Sequence, residues 1–111
     1  MLIQGAIKTN FIMKVHVQSV NFNADKELIE FIEKKVSSLE KFYDKIVDSE
    51  VFLKVQQTSE KENKVVEIKL NVPGNDIVVK KQCKTFEEGA MLAIETLKRS
   101  LEKTKEKIRV K

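Results

Sequence analysis

The segment KVVEIKLNVPGNDIVVKKQCKTFEE, residues 64–88, contains two strand-like runs, a turn and the start of a helix. The runs 64–72 and 77–83 are rich in valine and isoleucine, which are typical of β-strands. Between them, PGND at 73–76 predicts a turn, because proline fixes one φ angle and glycine frees the next. TFEE at 85–88 matches a capping box, in which a threonine hydroxyl and a glutamate carboxylate satisfy backbone donors at a helix start. The segment therefore predicts a β-hairpin followed by a helix that continues to about residue 111.

The sequence on the N-terminal side of this segment predicts the remaining elements. Alternating apolar and polar residues indicate strands at 14–20 and 47–57. Asp25 has the features of an N-cap, and apolar residues then recur every three or four positions to about Asp44, as in an amphipathic helix. The order β-α-β-β-β-α predicts an α+β fold. We expect a four-stranded sheet with two helices packed on one face, as in double-stranded-RNA-binding domains.

The length and composition indicate one domain. A chain of 111 residues lies within the usual size of a domain, and no stretch approaches the roughly 18 apolar residues of a membrane-spanning helix. Residues 1–12 lack a clear period and Met13 opens the first strand-like run. We therefore expect 1–12 to be a flexible upstream extension or a cloning remnant, and 13–111 to form the domain. Cys83 is the single cysteine, which fits a reducing compartment, so we expect a cytoplasmic protein.

The positive charge of the chain is concentrated at its C-terminus. The net charge is +4, yet the last fifteen residues carry seven bases and two acids, while the other 96 carry 14 bases and 15 acids. On a helical wheel, most of the C-terminal bases form two stripes beside the apolar seam. These stripes are Arg99, Lys103 and Lys107 on one side, and Lys98, Lys105 and Arg109 on the other.

Further bases adjoin this helix. Lys81 and Lys84 precede it, and Lys45 follows the first predicted helix. Solvation and the helix dipole account for many basic helix ends, but a merely solvated face usually mixes both signs of charge. We therefore expect the bases to form a surface for a polyanion, with affinity that falls steeply as salt rises.

The residues disfavour base stacking and catalysis. There is no tryptophan, and Phe42, Phe52 and Phe86 are interpreted as core residues, so an aromatic stacking platform is not expected. His16 is the one histidine and has no evident partner, and the three glycines form no phosphate-binding pattern. We expect no enzymatic activity, no cofactor, no metal and no small-molecule substrate.

Two motifs resemble the short bacterial ribosome hibernation promoting factors, also called ribosome-associated translation inhibitors. SLEKFYDKI at 38–46 is similar to the family pattern K-L-E-[KQ]-[YF]-[FY]-D-[KR]-I. TFEEG at 85–89, leading to RSLEKTKEK at 99–107, is similar to the family's closing helix with its R-Q-L-x-K-x-K-x-K rhythm. The resemblance runs from Met13 to about Lys111. It departs from the family pattern at three positions, which are Ser38 for lysine, Gly89 for alanine and Ser100 for glutamine.

The resemblance implies a stress or stationary-phase factor that binds the small ribosomal subunit near the decoding region. There it blocks messenger and transfer RNA and so inhibits translation, without a membrane or a small-molecule substrate as partner. We expect a monomer off the ribosome. From the charge pattern and the resemblance together, the predicted RNA-binding residues are Lys35, Lys45, Lys81, Lys84, Lys98, Arg99, Lys103, Lys105, Lys107 and Arg109.

Two other hypotheses remain open from the sequence. Domains with a sheet and two helices also bind A-form RNA by shape, so a general double-stranded RNA binder is the main alternative. The other is a protein-interaction module whose basic helix docks on an acidic partner or a membrane surface. Little exposed apolar surface is expected beside the bases, which argues against insertion into lipid.

Overall fold

A computed structural model describes residues 14–110, with side chains for residues 14–104. Within these residues the chain forms four strands and three helices. In chain order they are β1 (Lys14–Ser19), α1 (Lys26–Ser37), α2 (Leu39–Phe42), β2 (Asp48–Val55), β3 (Lys64–Val72), β4 (Asn75–Cys83) and α3 (Phe86–Val110). The predicted α+β order is confirmed, with the short helix α2 as an addition. The extension predicted at 1–12 lies outside the described residues.

The four strands form one sheet in the order β1-β2-β3-β4. β1 is parallel to β2, and the other neighbouring strands are antiparallel. The parallel pair requires a crossover connection, which α1 and α2 provide. The register aligns four residues across the sheet, which are Ser19, Leu53, Val66 and Lys81. β1 and β4 therefore end at the same end of the sheet, so α1 and α3, which follow them, both begin there.

The core lies between one face of the sheet and the helices. Alternate residues of β2 and β3 point toward the helices and are fully buried, among them Val51, Leu53, Val66 and Ile68. The helices contribute the fully buried side chains of Ile32, Val36, Leu39, Leu97 and Leu101. Burial of each such side chain is worth about 1.5–3 kcal/mol. This shared core holds α1 and α3 side by side, and the two helices contact each other directly.

Both predicted helix starts are confirmed. The carboxylate of Asp25 accepts a hydrogen bond of 2.8 Å from the backbone N–H of Leu28. At the second start, the hydroxyl of Thr85 accepts a hydrogen bond of 3.1 Å from the backbone N–H of Glu88. Each bond satisfies a donor that the first helical turn leaves free.

The prediction of one continuous helix to about Asp44 is wrong. The first helix ends at Ser37, and a turn at Ser38 separates it from α2. The Ser38 hydroxyl donates a hydrogen bond of 2.6 Å to the backbone carbonyl of Lys35, and such local bonds compete with the regular helical pattern. Tyr43 then leaves the helix in an extended conformation, with φ −147°, and is buried.

The turn between β3 and β4 is shorter than the sequence predicted. Val72 pairs with Asn75, so only Pro73 and Gly74 form the turn and β4 begins two residues earlier than expected. Gly74 has a φ of +84°, a conformation that glycine adopts without steric cost after a proline. Within residues 14–110, no helix combines the length and the apolar character needed to cross a bilayer.

Candidate nucleic-acid interface

In the two long helices most of the acids precede most of the bases. The helices begin at the same end of the sheet and lie side by side, so like charges gather at each end of this helix layer. Most acids lie toward the N-terminal ends, namely Asp25, Glu27 and Glu30 in and before α1, and Glu87, Glu88 and Glu95 in α3. Four further acids with described side chains lie among the bases, namely Glu33, Glu40, Asp44 and Glu102. This order of charges also stabilises each helix through its dipole.

We call the opposite end of the helix layer the basic end. It comprises the bases in the C-terminal half of α1, in and after α2, and in the C-terminal half of α3. Among the residues with described side chains, these bases are Lys34, Lys35, Lys41, Lys45, Lys98, Arg99 and Lys103. All are exposed except Lys35, which is half-buried. The structure therefore brings the predicted residues Lys35 and Lys45 to the same end of the domain as the predicted bases of α3.

Lys35 is held against the surface of α1. Its ammonium nitrogen lies 5.7 Å from the centroid of the Phe31 ring, within the range of a cation–π contact. Phe31 itself packs partly buried against the core. The contact restricts a flexible side chain and so reduces the entropy that it would lose on binding a phosphate.

The bases of α3 lie on two sides of the helix. Arg99 and Lys103 point to one side and Lys98 to the other, as the spacing predicted, and all three are exposed. Glu102 is exposed between the two stripes. Among the side chains of α3 that the structure describes, the exposed large apolar ones are Met91 and Leu92, which lie in the acidic half of the helix and not beside the bases.

Two predicted residues lie away from the basic end. Lys81 is half-buried near the end of β4, and Lys84 is exposed where the chain enters α3. Lys84 borders a surface hollow together with the β2–β3 loop, including Glu60 and Glu62. The rise of α3 places Lys98 roughly 20 Å from Lys84 along the helix. RNA binding by Lys81 and Lys84 stays a prediction, and it would require a ligand that extends along the whole helix.

Three further predicted residues fall where only the backbone is described. Lys105, Lys107 and Arg109 continue α3, which runs to Val110, and their side chains lie outside the described residues. Their helical spacing continues the two stripes that Lys98, Arg99 and Lys103 begin.

The interpretation of Phe52 as a core residue is wrong. Its neighbours Val51 and Leu53 point toward the helices, so Phe52 points to the opposite, open face of the sheet. It borders a hollow there with His16, Gln18 and Glu50. The alternation of β2 already contained this information, because residues on either side of a buried strand position face away from the core.

The other two phenylalanines do pack against the core. Phe86 is buried and stacks on Phe22, with ring centroids 4.9 Å apart and ring planes within 5° of parallel. Phe42 is partly buried against the core. His16 is exposed on β1, as expected of a surface histidine. Among residues 14–104, no three histidine, cysteine or acidic side chains come together in a metal-binding arrangement.

The sequence matches one protein family over nearly all of the described chain. The family model of Sigma 54 modulation protein / S30EA ribosomal protein matches residues 15–109. The chain belongs to this family. The resemblance noted from the motifs at 38–46 and 85–107 is thereby confirmed, because both motifs fall within the matched region.

Individual relatives agree with this membership. A ribosome hibernation promoting factor of Pseudomonas putida strain KT2440 is 26% identical over 95 residues, which cover 86% of this chain and 89% of that protein. A ribosomal subunit interface protein from Coxiella burnetii has the same fold, with a TM-score of 0.73 and 20% identity, covering 84% of this chain and 98% of that one. The N-terminal domain of Thermus thermophilus Protein Y gives a TM-score of 0.69 with 18% identity, covering 83% and 99% of the two chains.

Proposed function

We propose that this S30EA-family protein is a ribosome hibernation factor of the cytoplasm. It binds the small ribosomal subunit near the decoding region and occupies the space that messenger and transfer RNA need. Translation is thereby inhibited under stress or in stationary phase. The family match and the names of the relatives support a ribosome-associated role.

The basic end of the helix layer is the observation that carries the proposal. Seven bases from α1, α2 and α3, or from the turns beside them, gather at one end of a small domain. Ribosomal RNA offers closely spaced phosphates, and each phosphate that a base neutralises releases condensed counterions into solution. Such a surface gains affinity from backbone contacts and needs no base-specific readout.

The rigid placement of the helices is consistent with a protein that acts by occupying a site on the ribosome. The core holds α1 and α3 side by side, so the basic end is a preformed surface and little ordering is needed on binding. A factor that acts by filling a site needs affinity and shape, and it needs no reacting group. We infer a monomer off the ribosome, whose function depends on its occupancy of the subunit.

Co-sedimentation with purified ribosomal subunits tests the proposal. The wild-type protein is expected to pellet with small subunits at moderate salt, more than with large subunits or free duplex RNA. Messenger RNA with transfer RNA is expected to displace it. Equal binding to free duplex RNA and to small subunits would instead support a general double-stranded RNA binder. Binding that survives nuclease treatment would support an acidic protein partner.

Matched variants locate the interface. Replacement of Lys98, Arg99 and Lys103 by alanine is expected to abolish most of the pelleting and the inhibition of translation in an extract. The control replaces Lys14, Lys54 and Lys80, three exposed lysines on the open face of the sheet, and so removes the same charge. This control is expected to pellet like the wild type. Equal loss in both variants would show that net charge, and not the basic end, determines binding.

A further inference from the structure

The open face of the sheet, which points away from the helices, carries nearly balanced charge. Four lysines alternate with four acids on it, which are Lys14, Lys54, Lys69, Lys80, Asp48, Glu50, Glu67 and Asp76. This composition differs from that of the basic end and does not suit a polyanion. The open face is therefore a second surface, whose mixed charges would suit a ligand other than RNA.

A shallow hollow lies on this face between β1 and β2. Its volume is about 340 Å³, and it is bordered by His16, Gln18, Glu50 and Phe52. Phe52 is only partly buried. It places an aromatic ring on a solvent-facing side of the sheet, where strand residues are usually polar. An exposed aromatic ring in a concave setting is a common anchor for a ligand or a partner side chain.

Carboxylates lie on two sides of Phe52. Glu50 precedes Phe52 by two residues on the same face of β2. Glu67, on β3, is the direct register partner of Phe52. Directly opposed side chains of neighbouring strands lie about 4.5–5.5 Å apart at Cβ. A cation placed here can therefore contact the π surface of the ring and donate hydrogen bonds to the neighbouring carboxylates.

The lysines paired with these carboxylates in the strand register form no ion pair with them among the described residues. Lys69 is the register partner of Glu50, yet its ammonium nitrogen lies 3.7 Å from a carboxylate oxygen of Asp76. On the open face, this is the one ion pair that the described residues form. Lys80 on β4 is the register partner of Glu67, and no ion pair joins these two side chains in the described part of the chain. The carboxylates of Glu50 and Glu67 therefore remain available to a cation supplied by a partner.

We propose that this hollow binds an arginine side chain from a basic segment of a partner protein. A guanidinium stacks on an aromatic ring and at the same time donates paired hydrogen bonds to a carboxylate, which the compact ammonium of lysine cannot do. The hollow and the basic end lie on opposite sides of the sheet, so both ligands bind at the same time. A nucleobase also stacks on phenylalanine, but its phosphate would meet Glu50 and Glu67.

Titration of the isotope-labelled full chain with short blocked peptides, followed by NMR, tests the proposal. Tetra-arginine is the probe, tetra-lysine is the peptide of equal charge, and an oligouridylate is the nucleic-acid probe. Tetra-arginine is expected to shift the signals of His16, Gln18 and Phe52 and to bind about tenfold more tightly than tetra-lysine. Stronger shifts from the oligouridylate, or arginine-induced shifts confined to the acids of the helix layer, would overturn the proposal.

Variants of the hollow complete the test. Phe52→Leu keeps an apolar side chain but removes the π surface. Glu50→Gln, at the carboxylate that borders the hollow, keeps the size of the side chain but removes its charge. Each is expected to weaken tetra-arginine binding by about tenfold. Glu60→Gln, in the exposed β2–β3 loop, is the charge-matched control and is expected to bind like the wild type. Unchanged affinity in both variants would contradict the proposal. Ribosome co-sedimentation of the same variants is expected to stay normal.

Discussion

A Cβ atom added at Gly89 would lie 2.9 Å from Cγ2 of Val66. The first turns of α3 therefore lie so close to β3 that a side chain at Gly89 has no room. Glycine within a helix costs about 1 kcal/mol relative to alanine. The close approach of helix and sheet accounts for a glycine at this helical position.

Replacement of Gly89 by alanine is expected to destabilise the protein by about 1 kcal/mol, because the overlap with the stiff, buried Val66 outweighs the gain in helix propensity. Urea unfolding followed by circular dichroism measures the effect. In a Val66→Ala background, which itself leaves a cavity, Gly89→Ala is expected to become stabilising. A stabilising effect of Gly89→Ala in both backgrounds would show that the helix shifts away from the sheet at little cost.

Ser49 offers a stabilising substitution. Its hydroxyl is fully buried on the helix-facing side of β2 and has no hydrogen-bond partner among the described residues. A buried polar group without a partner costs about 1–3 kcal/mol. Ser49→Ala removes this group and leaves little empty volume, so the free energy of unfolding is expected to rise by about 1 kcal/mol in urea titrations. A decrease would indicate that a bound water molecule satisfies the hydroxyl.

The N-cap of α1 supports the helix that holds Lys35. Asp25→Ala is expected to lower the free energy of unfolding by about 1 kcal/mol, because the backbone N–H of Leu28 loses its acceptor. Asp25→Ser, which retains a capping oxygen, is expected to restore most of the stability. Differential scanning calorimetry of the three proteins measures this order. Equal melting temperatures for the alanine and serine variants would contradict a capping role.

Cys83 gives a pH-dependent contribution to stability. Burial raises the pKa of its thiol, and the carboxylates of Glu88 and Glu62 raise it further, while Lys81 partly opposes them. The folded state therefore holds the thiol proton more tightly than the unfolded state. This stabilisation is complete below the ordinary thiol pKa, about 8.5, and is lost as the pH rises toward the folded-state value.

The corresponding measurement compares urea unfolding at pH 7.5 and pH 10 for the wild type and Cys83→Ala. The wild type is expected to lose more stability than the variant over this interval, because only the wild type has the thiol. Native Cys83 is also expected to react slowly with a thiol reagent and to react at once in urea. Parallel losses in the two proteins would contradict the raised pKa.

Much of the fold is local in origin and was therefore predictable. The hairpin of β3 and β4 follows from two runs of β-branched residues around Pro73 and Gly74, and both helix starts follow from side-chain oxygens at Asp25 and Thr85. These features depend on neighbouring residues, so a pattern in the sequence suffices. The sequence does not predict the break at Ser38, since a serine hydroxyl that bonds its own helix gives no strong sequence signal.

Features that depend on distant residues were not predictable in the same way. The parallel pairing of β1 with β2 results from the crossover through α1, which local periodicity does not encode. The common direction of α1 and α3, which gathers Lys35, Lys45 and Lys98 at one end, follows only from this topology. The same topology leaves Lys81 and Lys84 at the other end. By contrast, the side of the sheet on which Phe52 lies can be predicted from the sequence, because Phe52 stands between the core-facing residues Val51 and Leu53.

The salt dependence of affinity for isolated small ribosomal subunits shows whether the basic end binds ribosomal RNA phosphates. The equilibrium constant is measured over a range of salt concentrations for the wild type and for the variant with alanine at Lys98, Arg99 and Lys103. We expect the slope of log K against log salt to flatten by about three in this variant, and to stay unchanged in the control lacking Lys14, Lys54 and Lys80. Equal slopes for the wild type and the Lys98, Arg99 and Lys103 variant would contradict this expectation.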